Sequence, residues 1–325
     1  MSANNTINFI DFCAGIGGGR LGLTSNGLKC AAYSEIDECA EKTYKLLFDT
    51  ENEKKFGDLM KINPEELPDF DIMLGGFPCQ TFSIVGKREG LEDQRGQIIY
   101  GLINILKENN IKYFILENVK GLLSHNGGQT IKSIMTELSN AGYVVYNQIL
   151  DSRFYGVPQM RERIYFVGFR KDLVSNKIWF NFPNEKPTPN LKDYLIDTDN
   201  NILPETDSTF QRYLNNKYNK DKFDLNKILA EDYLVLDTRQ SDLRLYREVV
   251  PTLRTGRHGI LYVKDKKLKK LSGYEALLLQ GFPKEYALKA KGKIPDTKLL
   301  SQAGNAMTVS VISDIAKRLL EYIKE

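Results

Sequence analysis

Cysteine, histidine and tryptophan are scarce in this chain, and it has no long apolar run. Of 325 residues, four are cysteine (Cys13, Cys30, Cys39, Cys79), two are histidine (His125, His258) and one is tryptophan. The cysteines show no C-x-x-C pairing, which argues against a disulfide framework and a zinc site; a reduced, metal-free protein is expected. No apolar stretch approaches the ~20 residues that cross a bilayer, and the N-terminus lacks the basic-then-apolar pattern of a secretory signal. A cytoplasmic location is the expectation that follows, with no membrane partner. Excess charge is also small, +3 over the chain, so a nucleic-acid partner cannot be argued from the total.

What is present is a foldable mixture of 42 % hydrophobic and 27 % charged residues. A chain of this length suits one large or two ordinary domains. The charge is unevenly placed. From Arg239 to Lys270 ten lysines and arginines face three acids, ten minus three or +7 over 32 residues. Such a run is ordinarily a solvated face; gathered on one domain it is the footprint of a phosphate-bearing partner.

Ile7–Phe12 reads as a buried strand, followed by the turn Cys13-Ala14-Gly15-Ile16-Gly17-Gly18-Gly19-Arg20 and a helical segment to Asn26. Strand, glycine turn and helix form the first unit of a nucleotide-binding sheet. The spacing is G-x-G-G-G rather than G-x-G-x-x-G, which disfavours a dinucleotide-dependent dehydrogenase. A second strand, Lys29–Ser34, ends in Glu35-Ile36-Asp37, where such sheets hold ribose hydroxyls. A helix from Glu38 to Phe48 precedes Gly57-Asp58. Two acids and a glycine loop outline a site for an adenosine-bearing cofactor; ordinary surface acids are the bland alternative.

Asp71–Leu74 is strand-like and runs into Gly75-Gly76-Phe77-Pro78-Cys79-Gln80-Thr81-Phe82-Ser83. This presents a thiol at the carboxyl end of a strand, the edge where open α/β sheets carry ligands. A thiol there is a candidate nucleophile, although a lone cysteine is more often a small buried hydrophobe. Val85–Gly96 is polar and glycine-punctuated, as a mobile lid would be. After a helix from Ile98 to Lys107, the strand Ile111–Leu116 ends in Glu117-Asn118-Val119, one strand along from Cys79. An acid opposes thiolate formation, so Glu117 suits the substrate better than the thiol. A helix (Ile131–Ala141), a strand (Tyr143–Leu150), Gly156–Arg163 and a further strand (Ile164–Phe169) follow. Arg161 and Arg163 share a side by period two, and one or both can hold an anion or a base carbonyl.

From Lys171 to Asp237 the pattern fades, marking a boundary. Arg247–Leu253 and Gly259–Val263 read as strands, and Ser272–Gln280 as a helix capped by Ser272. Ala303–Met307 is expected to open a last amphipathic helix reaching Ile323. Expected domains are 1–190 with 300–325, then 191–271, joined by a connecting segment 272–299.

Together these motifs resemble the C5-cytosine DNA methyltransferases of bacterial restriction-modification systems. The likeness is carried by Phe12–Gly18, Glu35-Ile36-Asp37, Gly57-Asp58, Gly76–Gln80, Glu117–Val119, Gln159–Arg163, Arg247 with Pro251-Thr252, and Gly304-Asn305. It spans Asn8 to Ile323 apart from roughly 190–237. It implies an α/β fold: a doubly wound, mostly parallel Rossmann-like sheet, with a smaller, mainly β target-recognition domain. It also implies S-adenosylmethionine as methyl donor and S-adenosylhomocysteine as product. Phe12, Ala14, Gly15, Ile16, Gly17 and Gly18 would form the cofactor turn. Glu35 would bind ribose, Ile36 the adenine face and Asp58 its amino group, with Pro78 and Asn305 closing the pocket. Met307 stands where the family more often has valine, and Ile36 where some members have an aromatic residue.

The resemblance further implies that Cys79 adds to cytosine C6, Glu117 serves N3, and Arg163 holds O2 with Arg161 supporting it or reaching phosphate. The target base would be flipped out of duplex DNA. Gln80, Ser83, Lys87, Arg88 and Arg95 would contact DNA from the catalytic domain, and Arg239, Arg244, Arg254 and Arg257 from the second. A monomer is expected, with a restriction endonuclease of the same site as possible partner. Two other readings stand beside it: the same chemistry on tRNA, whose Cys-Phe-Thr signature is missing here, and a catalytically silent DNA-binding module.

Overall fold

Short apolar strands that end in glycine turns build the first unit, which comprises residues 1–151, 162–184 and 307–325. The structure is a computed structural model that describes residues 6–77, 98–174, 179–199 and 201–324. The expectations for Pro78, Cys79, Gln80, Ser83, Lys87, Arg88, Arg95 and the Val85–Gly96 lid lie outside the described residues.

Five strands lie parallel: β1 (Asn8–Phe12), β2 (Lys29–Ser34), β3 (Lys54–Phe56), β4 (Ile72–Gly76) and β5 (Tyr113–Val119). They alternate with α1 (Gly18–Thr24), α2 (Glu38–Leu47), α3 (Ile98–Glu108) and α4 (Gln129–Asn140). β6 (Tyr143–Asp151) follows; then, after β7 (Gln159–Met160) in the second unit, β8 (Glu162–Arg170) pairs antiparallel with both β5 and β6. The sheet order is β3-β2-β1-β4-β5-β8-β6. The doubly wound expectation holds, with an antiparallel pair at one edge.

The helices form because their apolar residues recur at helical spacing. Ile99, Leu102, Ile103 and Leu106 of α3 make one stripe, buried with Phe12, Met73, Phe114 and Leu116 of the strands. Asp37 starts α2 by accepting from the Cys39 and Ala40 amides. Since β1 and β4 are neighbours from which the strand order runs outward both ways, their carboxyl ends form the switch point of the sheet. That is where ligands of such sheets bind.

The second unit comprises residues 152–161 and 185–306. It holds α5 (Ser208–Leu214), α6 (Leu225–Leu229), β9 (Val235–Asp237), β10 (Arg244–Tyr246), β11 (Val250–Pro251), β12 (Ile260–Lys264) and β13 (Lys267–Lys270). An antiparallel sheet runs β10-β9-β12-β13, while β11 pairs with β7. Leu236, Leu261, Val263 and Leu268 are buried in one cluster with Phe210, Ile228 and Leu229 of the two helices. Three more helices follow: α7 (Gly273–Leu279), α8 (Lys284–Ala290) and α9 (Asp296–Asn305).

Three expectations change here. The unit takes in 152–161, 185–190 and 272–306; α7 packs on α9, where a Cβ on Gly273 would lie 2.5 Å from Leu299. The faded stretch contains α5 and α6, each started by an aspartate, Asp207 and Asp224. Gly304-Asn305 ends a helix rather than opening one; the last helix, α10 (Val309–Lys324), begins after an extended Ala306. In the first unit α10 packs on α1, where a Cβ on Gly22 would lie 2.7 Å from Ile312. No helix among the described residues is long and apolar enough to cross a membrane.

Candidate active site

The turn after β1 is tied to the end of β2. The Gly15 amide donates to Glu35 Oε2 at 2.6 Å, and Oε1 accepts from the Ile36 and Asp37 amides at 2.8 Å. Glu35 therefore shapes the loop it was expected to serve, and its carboxylate oxygens keep lone pairs for a hydroxyl. The glycines divide by role. Gly15 has φ +56° with open space where a side chain would stand, so the backbone is accessible there. Gly17 and Gly18 are required by packing: their Cβ atoms would meet the Phe48 ring and the Met307 carbonyl, each at 2.3 Å. Phe12 is wholly buried near Phe70, and Ala14 and Ile16 are buried too. The ring of Phe12 is thus packed in the core of the sheet at the start of the turn.

Beside the turn, Ile36 is 71 % exposed and leaves an apolar contact open to a ligand. Asp58 starts the 3-10 turn Leu59–Lys61 by accepting from the Met60 amide at 3.0 Å. Met60 packs against Gly101 of α3, its sulfur 2.9 Å from the position of an added Cβ. Met60 and Tyr100 are both exposed apolar residues that sequence reasoning passed over. Their only signal was adjacency to Asp58 and to the start of α3. Burial, with the negative charges of Glu35, Asp11 and Asp58, pushes the Cys13 thiol up to about 12, so it stays protonated and inert.

At the next strands, register brings the expected pair together. Gly76 of β4 pairs with Glu117 of β5, and Val119 pairs with Arg163 of β8. Glu117 Oε1 lies 3.2 Å from Arg163 Nε, with side chains 12 % and 13 % exposed. Asn118 is buried; its Nδ2 donates to the Phe77 carbonyl at 2.9 Å and its Oδ1 accepts from the Val119 amide at 2.7 Å. It holds the last described peptide before Pro78-Cys79, a positioning role the motif alone did not disclose.

Arg161 departs from expectation. It is 2 % exposed and belongs to the second unit, donating to the carbonyls of Leu253 (3.4 Å), Gly304 (3.1 Å) and Ala306 (2.8 Å). The period-two argument fails because β7 ends at Met160 and β8 starts at Glu162, in different sheets. Arg239 is likewise not available for DNA. Its side chain is 5 % exposed, paired with Asp237 at 2.7 Å and donating to the Thr252 carbonyl. Arg244 is exposed but paired with Asp242 at 3.0 Å. Arg254 and Arg257 are exposed, with no acidic partner among the described residues. Asn305 is exposed at the end of α9.

The comparisons point one way. A model of the family described as C-5 cytosine-specific DNA methylase matches residues 7–321. Type II methyltransferase M1.ScrFI of Lactococcus lactis is 36 % identical over 97 % of this chain and 78 % of its own length. Type II methyltransferase M.HaeII of Haemophilus aegyptius is 36 % identical over 97 % of this chain and 93 % of its own. The crystal structure of the S. pombe Dnmt2 methyltransferase has the same fold, with a TM-score of 0.72 at 19 % identity, covering 98 % of this chain and all of that one.

Proposed function

Since the chain belongs to the C-5 cytosine-specific DNA methylase family, we propose that it methylates C5 of a cytosine within a short, specific duplex DNA sequence. We read it as a type II modification enzyme. Its partner would be a restriction endonuclease of the same site, and it would work as a monomer in the cytoplasm. The observation that carries the reading is the Glu117–Arg163 pair, beside the last described residue before Cys79.

Bound S-adenosylmethionine supplies the electrophilic methyl group. The first unit suits it: an open glycine turn at Gly15, the Glu35 carboxylate for ribose, and exposed Ile36 with Asp58 for adenine. C5 of cytosine is a weak nucleophile. The Cys79 thiolate adds to C6, forming a C–S bond and leaving C5 electron-rich. Glu117, protonated or sharing a proton, meets the charge that develops at N3, and Arg163 holds the O2 carbonyl. With the methyl group passed to C5, its new C–C bond replacing the donor's sulfur–methyl bond and S-adenosylhomocysteine left as the product, loss of the C5 proton would then expel the Cys79 thiolate, breaking the C–S bond and restoring the aromatic ring. Because C6 is concealed in the base stack, the base is flipped out first. Arg254 and Arg257 contact the DNA backbone from the second unit, with Gln80, Ser83, Lys87, Arg88 and Arg95 from the segment around Cys79.

The test is transfer of labelled methyl from S-adenosylmethionine to unmethylated duplex DNA and, in parallel, to unmodified tRNA, followed by bisulfite sequencing of the DNA. The expected result is label on cytosine C5 in one sequence context. Label on tRNA alone, or on neither, would overturn the proposal.

A further inference from the structure

We infer that Arg161 is a positioning residue for DNA binding: with Gln159 it fixes the shape of the Arg254–Arg257 turn. The inference rests on the reading that this turn contacts DNA. Both side chains are buried within the second unit. Gln159 accepts from the Leu253 amide at 3.0 Å and donates to the Leu279 carbonyl at 2.8 Å. Arg161 takes the Leu253 carbonyl at 3.4 Å with those of Gly304 and Ala306. Both backbone groups of Leu253, the residue before the turn, are therefore held by side chains from one short segment. A planar guanidinium holds such carbonyls in a fixed fork, here with two terminal nitrogens; a lysine ammonium offers three donors on one rotatable centre and does not reproduce that spacing.

The rest of the turn is clamped as well. The backbones of Arg254 and Arg257 pair, the Arg257 amide donating to the Arg254 carbonyl at 3.4 Å, and Gly256, at φ +67°, donates to Ser301 Oγ at 3.4 Å. Ser301 Oγ lies 3.2 Å from His258 Nε2. Beneath the turn is Gly304, whose Cβ would stand 2.5 Å from the Thr255 amide nitrogen. The other three arginines of the surrounding basic segment are neutralised: Arg239, Arg244 and Arg247 are paired with Asp237, Asp242 and Glu231. Arg254 and Arg257 are the exposed arginines of this segment with no acidic partner among the described residues. A preformed turn presents them without the ordering cost a flexible loop would incur on binding.

The experiment uses the full chain and a short duplex carrying the sequence it methylates. Arg161→Lys is expected to raise KM for DNA about tenfold, the scale of a missing hydrogen bond to a charged group. Its kcat and its KM for S-adenosylmethionine should stay within about twofold of the parent. The salt dependence of its binding should also weaken, as should that of the Arg254→Ala/Arg257→Ala double variant, the slope falling by roughly 0.9 for each phosphate that is no longer neutralised. Combining Arg161→Lys with the double variant should add little. Gly304→Ala keeps Arg161 and the carbonyl it binds while its Cβ pushes on the turn from below, so its matching rise in KM guards against a misfolded Arg161→Lys. A fall in kcat at unchanged KM for DNA would overturn the inference, as would full additivity or a parental salt slope in the double variant. Absence of DNA methylation by the parent protein would overturn the functional reading, and is read before any variant is made.

Discussion

Replacing Arg20 by methionine tests how the cofactor turn is anchored. Arg20, at the start of α1, makes a bidentate pair with Glu53 at 2.6 Å on both arms, with side chains 8 % and 12 % exposed. It also donates to Tyr44 Oη and to the Asp49 carbonyl at 3.2 Å each, and stacks 4.4 Å above the Phe48 ring. Methionine keeps the apolar packing on the ring and strands the Glu53 carboxylate. Leaving one buried charge without its partner costs about 3–5 kcal/mol. At about 2–4 °C per kcal/mol for a unit of this size, the melting temperature should fall by about 6–20 °C. Calorimetry would measure the fall, and hydrogen exchange should place the loss in α1 and around Glu53. Arg20→Met/Glu53→Leu should recover much of it, since an apolar pair is a tolerable substitute for a buried ion pair. A shift under about 2 °C in the single variant, or strict additivity in the double, would refute the reasoning.

Other outcomes follow from the same geometry. Gly15→Ala should weaken S-adenosylmethionine binding at a modest stability cost of about 1 kcal/mol for the left-handed backbone, read by titration calorimetry. Gly18→Ala should instead cost stability, about 1–3 kcal/mol, as its Cβ meets the Met307 carbonyl. Asp11 is buried with Oδ2 lacking a hydrogen-bond partner, and burial raises its pKa well above the usual range. Because the folded state holds that proton more tightly, its stabilising effect is full below about pH 4 and is lost as pH rises through the folded value. Asp11→Asn should therefore gain on the parent in denaturant titrations as pH is raised from 5 to 8. Asn118→Ala should lower kcat about tenfold, the worth of the missing hydrogen bond to Phe77, with KM for S-adenosylmethionine unchanged.

Elements with a dense local signal were legible in the sequence. Lys29–Ser34 and the helix from Ile98 stand within a residue of expectation, because apolar runs and stripes state their own period. Ser272 caps α7 in a reciprocal box with Glu275, as its S-x-x-E pattern suggests. Glu117 could be placed at the edge expected to carry Cys79 because a strand fixes its ends, whereas the role of Arg163 at O2 entered through the resemblance and it is strand register that sets it beside Glu117. Arg161 could not: its role depends on Gly304 and Ala306, more than 140 positions away. The charge count from Arg239 to Lys270 likewise missed Asp237 and Glu231, the acids just before the window that neutralise two of its arginines. Gly304-Asn305 is a helix stop signal, and an apolar stretch on both sides of it obscured the break.

The covalent step at Cys79 is the centre of this account, and a duplex with 5-fluorocytosine at the methylated position tests it most directly. Fluorine at C5 cannot leave as a proton does, so the adduct should persist as a denaturant-resistant protein–DNA complex. We predict that complex for the parent in the presence of S-adenosylmethionine, with Cys79→Ser giving none. An active parent that forms no such complex, or a Cys79→Ser variant that still does, would contradict it.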